Sequence, residues 1–210
     1  MRITKFGHAC VRIEHGGAAL VIDPGMWTEQ EAVDGATAVL ITHEHPDHYL
    51  ADHLLATDAP VITIEAVAAQ IREEAPAAVE RLRVVRPGEQ LDAGLPVRVV
   101  GERHAVIHPD LPRFDNSGYL VTAGDILVFH PGDSLAGPGV PVDVLCAPVC
   151  APWLKASEAV DFAREVGAPR NLAIHDRVYS EAGLALVDGH LDRLLPEHQH
   201  YTRLPDGADL

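Results

Sequence analysis

Apolar positions along the chain come in short runs separated by turn-forming residues. Arg2–Phe6, Cys10–Glu14 and Ala18–Ile22 alternate or run apolar, and Gly16-Gly17 joins the last two as a hairpin turn. Asp23-Pro24-Gly25 stops the third run. Ala38–Ile41, Val61–Ile64, Leu82–Val85, Gln90–Leu91 and Val97–Val100 read as further strands. Leu50–Ala56 and Glu65–Glu74 read as helices, with Pro76 ending the second. Tyr119–Thr122 and Ile126–Phe129 flank Ala123-Gly124-Asp125 as a second hairpin, and Val142–Cys146 and Leu172–Ile174 follow as strands. Ser157 is placed to cap a helix running to about Val166 with Gly167 as its stop, and Glu181–Leu195 reads as the last helix. Antiparallel runs in each half, with helices between them, predict sheets covered by helices on their outer faces, an α/β (α+β) layered arrangement. No internal repeat, low-complexity tract or Gly/Ser linker divides the sequence, so residues 1–210 are expected to fold as a single domain.

One strand changes the picture. Ala38-Val39-Leu40-Ile41 runs straight into Thr42-His43-Glu44-His45-Pro46-Asp47-His48. A solvated charged loop needs neither three imidazoles nor an apolar strand leading into it, whereas a site that must hold an ion fixed needs both. His43 and His45 are two residues apart, so their rings project to the same side of an extended segment. Pro46 turns the chain and lets Asp47 and His48 face a second position beside the first. Neutral imidazoles with a carboxylate suit a borderline divalent ion such as zinc. Composition points the same way, since thirteen histidines against two tryptophans need a reason, and metal ligation is the usual one.

Charge and cysteine usage remove other classes. The formal net charge of −15 repels phosphate backbones and anionic membranes, so neither nucleic acid nor a membrane is an expected partner. No run is long enough to span a bilayer, MRITKFGHAC has no signal-peptide core, and the cytoplasm is the default location. Cys10, Cys146 and Cys150 are too few and too scattered for a disulfide framework or zinc finger and read as buried thiols. There is no GxSxG elbow and no phosphate-cradling glycine loop.

The segment from Thr42 to His48 resembles the HxHxDH signature of the metallo-β-lactamase superfamily. The similarity extends from Gly7-His8-Ala9 and Val21-Ile22-Asp23-Pro24-Gly25 through His130-Pro131-Gly132-Asp133 to Ile174-His175-Asp176. The opening and the length look most like its small metal-dependent hydrolases, close to the ascorbate-6-phosphate lactonase-like branch. The resemblance implies a four-layer αββα sandwich with a dinuclear metal site at one edge. It implies that His43, His45 and His104 hold one ion, that Asp47, His48 and His175 hold the other, and that Asp133 lies between them. His108 competes with His104, which lies nearer the strand Val97–Val100 that positions it. Each proposed ligand group follows an apolar strand, which the residue pattern supports by itself.

Around that set, Asp23 is a candidate to orient a ligand or only a turn residue. His8 either lines the pocket or sits satisfied in the core, and His130 either contacts substrate or is partly exposed without a role. Trp153 and Arg113 are candidate pocket walls. His15, His53, His190, His198 and His200 read as surface residues. The chemistry implied is hydrolysis of an ester, lactone or phosphodiester in a small-molecule substrate by hydroxide activated between two divalent ions, with Asp47 and Asp133 as catalytic residues. Zinc is the expected ion, manganese or iron are alternatives, and the oligomeric state is open. An iron-dependent oxidoreductase on the same scaffold and a non-catalytic metal-binding protein are the rival readings. The flavin-linked oxidoreductases of the superfamily commonly have Glu where this chain has His45, and all seven ligands are present, which weighs against each rival in turn.

Overall fold

The computed structural model describes residues 1–101 and 103–210. The first half of the chain forms β1 (Arg2–Lys5), β2 (Val11–His15), β3 (Ala18–Ile22), β4 (Ala38–Ile41), β5 (Val61–Thr63) and β6 (Leu82–Val84). The second half forms β7 (Gln90–Asp92), β8 (Pro96–Val100), β9 (Gly118–Ala123), β10 (Ile126–His130), β11 (Val144–Pro148), β12 (Arg170–Ile174) and β13 (His200–Thr202). A last strand, β14 (Ala208–Asp209), returns to pair with β1. The result is two seven-stranded sheets, ordered β14-β1-β2-β3-β4-β5-β6 and β13-β12-β11-β10-β9-β8-β7.

Burial explains the layering. Between the sheets, Ile13, Leu20, Ile22 and Leu40 meet Val97, Val121, Val128 and Leu172. On the outer face of the first sheet, Val39 and Ile41 pack against Leu54 of α1 (Ala51–Leu55) and Val67 and Ile71 of α2 (Glu65–Glu74). On the outer face of the second, Leu145 and Ala173 pack against Phe162 of α3 (Ala156–Val166) and Leu184 and Leu191 of α4 (Glu181–Leu194). This is the αββα sandwich expected from the sequence. β4 is apolar throughout because both its faces are covered, as in other buried parallel strands. Each of its larger side chains contributes roughly 1.5–3 kcal/mol by leaving water, so the strand that feeds the histidine motif is firmly seated. Among the described residues, no helix is long and apolar enough to cross a membrane.

The expected antiparallel run is present in each half, and a parallel run continues it. β1 to β3 are antiparallel, but β3 to β6 are parallel. The second half repeats the arrangement, antiparallel from β7 to β10 and parallel from β10 to β13. Parallel neighbours put their carboxyl ends on the same rim, and there the loops after β3, β4, β10 and β12 meet. Two smaller differences concern ends. Lys155, not Ser157, caps α3, its N–H donating to Glu158 Oε2 at 2.9 Å. β13 and β14 were not among the expected strands, being short and half polar.

Candidate metal centre

The rim loops are locked by hydrogen bonds before any ligand is considered. Asp23 ends β3 in a left-handed conformation (φ 52°). Its carboxylate accepts from the Thr42 N–H at 2.8 Å, the Thr42 hydroxyl at 2.7 Å and His48 Nδ1 at 2.7 Å. The Thr42 oxygen, its proton committed to Asp23, accepts from His43 Nδ1 at 3.0 Å. His104 Nδ1 donates to the Ala105 carbonyl at 2.6 Å and His175 Nδ1 to the Cys150 carbonyl at 2.5 Å. In each of these rings an oxygen holds the Nδ1 proton, which leaves the Nε2 lone pair free and aimed inward.

The inward-facing atoms gather in two sets. His43, His45, His104 and Asp133 form one, and Asp47, His48 and His175 with His8 form the other, with the ligand atoms of each set lying within 4.8 Å of one another. Asp133 touches both. Its carboxylate lies 3.2 Å from His104 Nε2, 3.8 Å from His43 Nε2, 3.0 Å from His48 Nε2 and 3.2 Å from His175 Nε2. Yet the Nε2 atoms of His48, His104 and His175 and the Oδ1 of Asp133 are buried without a hydrogen bond. His43 Nε2 and His45 Nδ1 also face each other at 3.0 Å. Buried nitrogens and a carboxylate oxygen that converge with so few hydrogen bonds are costly unless a cation joins them, a metal ion or, in its absence, protons.

His8 belongs to the second set by position but not by tautomer. Its Nδ1 accepts the Arg177 backbone N–H at 3.2 Å, so the neutral ring carries its proton on Nε2 and donates it to Asp47 Oδ2 at 3.1 Å. It orients Asp47 instead of offering a lone pair.

The charges fit this division. Burial pushes His43 well below its ordinary pKa and His8 down to about 3, so both are neutral imidazoles. Burial also disfavours charge on His48 and His175, but Asp133 outweighs it, lifting His48 well above its usual range and His175 to about 9. Burial likewise opposes ionisation of Asp133, and His175 and His48 overcome it, leaving the carboxylate well below the normal range. Asp47 is lowered too, with the penalty of burial outweighed by the neighbouring His175 and His8 rings.

The structure thus brings together His43, His45, Asp47, His48, His104, Asp133 and His175. His108 lies in the open beside Asp110 and takes no part. Asp23 is fully buried and does far more than turn the chain. Trp153 Nε1 donates to Asp133 Oδ2 at 3.0 Å, and Arg113 Nε donates to the His104 carbonyl at 2.7 Å. His130 is fully buried, not partly exposed, and its Nε2 donates to the Ala9 carbonyl at 2.8 Å. His53 is also buried, contrary to the surface reading, because its Nε2 finds the Gly25 carbonyl at 3.2 Å. Cys150, read only as a core thiol, contributes through its carbonyl, which no side-chain pattern announces.

A family model described as the beta-lactamase superfamily domain matches residues 2–175. The chain belongs to the beta-lactamase superfamily. The match covers the same loops, from β1 to the end of β12, that close around the two sets of side chains. Among relatives, Protein Rv0786c of Mycobacterium tuberculosis is 40% identical over 220 residues, covering 96% of this chain and 100% of that one. A UPF0173 metal-dependent hydrolase of Pyrobaculum arsenaticum is 26% identical over 189 residues, covering 82% of each. Igni18, a metallo hydrolase of the archaeon Ignicoccus hospitalis, superposes with a TM-score of 0.75 at 15% identity, covering 100% of this chain and 97% of the other. At that identity the likeness is one of superfamily fold.

Proposed function

We propose that the protein is a metal-dependent hydrolase that cleaves an ester, lactone or phosphodiester bond in a small molecule. The observation that carries the proposal is the set of oriented, buried and unpartnered Nε2 atoms around Asp133. His43, His45 and His104 would hold one divalent ion, Asp47, His48 and His175 a second, and Asp133 both, with zinc suited to this nitrogen and carboxylate set. Bound there, the ions supply Lewis acidity towards the scissile group and lower the pKa of water.

The protein's own groups do the remaining work. Asp23 and Thr42 hold His48 and His43 in the tautomers that ligation requires. His8 fixes the direction of Asp47. The Asp47 side chain is 19% exposed against 2% for Asp133, so Asp47 is the carboxylate placed to pass a proton towards solvent. With two ions bound, Asp133 would offset part of the repulsion between them, and Trp153 fixes one of its oxygens. The hydrolase reading is supported by the ligand geometry and by relatives that carry that description.

The variant Asp133→Asn tests the proposal. It keeps the shape and removes the charge, so one ion should bind much more weakly. Turnover on an esterase and phosphodiesterase panel should fall by about a thousandfold or more, with an unchanged circular dichroism spectrum. Retention of both metals and near-normal rates would make Asp133 a turn residue and overturn the assignment.

A further inference from the structure

The surface around the centre is apolar in a way that the ligand set does not require. Half of the exposed large hydrophobic side chains among the described residues sit on three loops, each following a residue of the centre. Met26 and Trp27 come after Asp23, Val106 and Leu111 after His104, and Val178 and Tyr179 after His175, all between 37% and 53% exposed. Isolated exposed hydrophobics need no explanation, but two of these loops and the loop after β11 also bring aromatic rings against the centre. Trp27 stands 4.8 Å from the His8 ring, Phe114 4.5 Å from His45, and Trp153 5.6 Å from His104 and 5.9 Å from His175. The Tyr179 hydroxyl donates towards the carbonyls of Ala151 and Leu154, each at 3.4 Å, which ties the His175 loop to the Trp153 loop.

The cations of the same loops are turned to partners within the protein. Arg177 pairs with Asp206, Arg103 pairs with Asp115 at 2.7 Å, and Arg113 directs Nε to the His104 carbonyl. A phosphodiester substrate favours a guanidinium facing its oxygens, whereas Arg177 and Arg103 pair with carboxylates and Arg113 turns its Nε to the backbone.

We infer that the substrate is an uncharged carboxylic ester or lactone carrying an alkyl or aryl group, which the rim covers while the carbonyl meets the metal centre. The inference rests on the hydrolase reading and narrows its substrate class. Each methylene that the rim buries should strengthen binding about fourfold.

The chain's two tryptophans, Trp27 and Trp153, both border the centre, so intrinsic tryptophan fluorescence reports on this mouth alone. Zinc-loaded protein is titrated with acetohydroxamic acid, octanohydroxamic acid and inorganic phosphate. The eight-carbon probe should bind at least about tenfold tighter than the two-carbon probe, and phosphate no tighter than the latter. Val106→Ser and Leu111→Ser should each lower the long-to-short ratio about three- to fourfold. Equal binding of the two hydroxamates, or tighter binding of phosphate, would overturn the substrate inference and leave the hydrolase reading standing. Protein that retains no zinc and binds neither hydroxamate would instead remove the hydrolase reading, and this inference with it. Concentration-dependent self-association abolished by Leu111→Ser would assign the rim to a second copy of the chain and overturn the inference as well.

Discussion

The two halves of this chain share one topology and use it differently. β1 to β6 and β8 to β13 follow the same order, and both halves need left-handed backbone where β1, β3, β8 and β10 run out. In the second half glycine provides it, at Gly101 (φ 75°) and Gly132 (φ 61°). In the first half the corresponding turns place His8 (φ 58°) and Asp23 (φ 52°) in that conformation. A side chain in this region costs on the order of 1–3 kcal/mol. The first half meets that cost, and the two side chains it keeps are the ones that aim Asp47 and His48. Glycine serves at position 132 for a second reason: a Cβ there would collide with Asn116 and Thr42, where the two halves touch.

The loops after β4 and β11 differ as much. The first carries His43, His45, Asp47 and His48, while the second carries no histidine or carboxylate and supplies the Cys150 carbonyl and the Trp153 N–H. The first half brings four of the seven candidate ligands on one loop, and the second brings three on separate loops and braces them from the loop after β11. A duplicated scaffold therefore does not imply duplicated chemistry, because strand ends fix where a residue stands and leave its identity free.

The largest effect expected from disturbing this division comes from Asp23→Asn. Asparagine tolerates the left-handed backbone, so the fold should persist, but the acceptor that holds His48 is weakened. Affinity for the ion held by His48 should drop about 10- to 100-fold by isothermal titration. An unchanged affinity would reduce Asp23 to a turn residue like its counterpart in the other half.

A change of pH probes the same pairing without mutation. In the metal-free protein His175 is raised to about 9 and His48 is raised as well, so both carry protons near neutrality that metal must displace. Proton and metal compete, so zinc affinity should climb as the pH rises from about 6.5 towards about 9. Uptake should release protons into a weakly buffered solution. A flat affinity profile would show that these rings are already neutral.

The smallest effect belongs to the bracing loop after β11. Trp153→Phe removes the hydrogen bond to Asp133 and keeps the ring, so turnover should fall about fivefold, equivalent to about 1 kcal/mol, with metal content unchanged. Loss of a metal in this variant would mean that the loop after β11 does more than brace.

Much of this was legible in the sequence where the signal is local. β4 running into Thr42–His48 is a contiguous pattern, and His104, Asp133 and His175 each follow an apolar run. The two sheets with outer helices followed from the spacing of those runs. The parallel pairing was not legible, because short strands buried on both faces carry no mark of direction. Only nearness to the strand Val97–Val100 favoured His104 over His108, and the Arg113 contact that holds the His104 carbonyl carries no local mark. Asp23 at a strand end was a candidate to orient a ligand, but its partner lies 25 residues away, and the orienting role of His8 rests on a partner 39 residues away, beyond any local pattern. His53 and His130 were misread because the carbonyls that satisfy them come from distant loops.

Two sets of candidate ligands, shared through Asp133, would hold two ions. Elemental analysis of protein purified without chelator and reconstituted with excess zinc tests this most directly. The geometry predicts a value approaching two per chain, and a value that stays below one would contradict it.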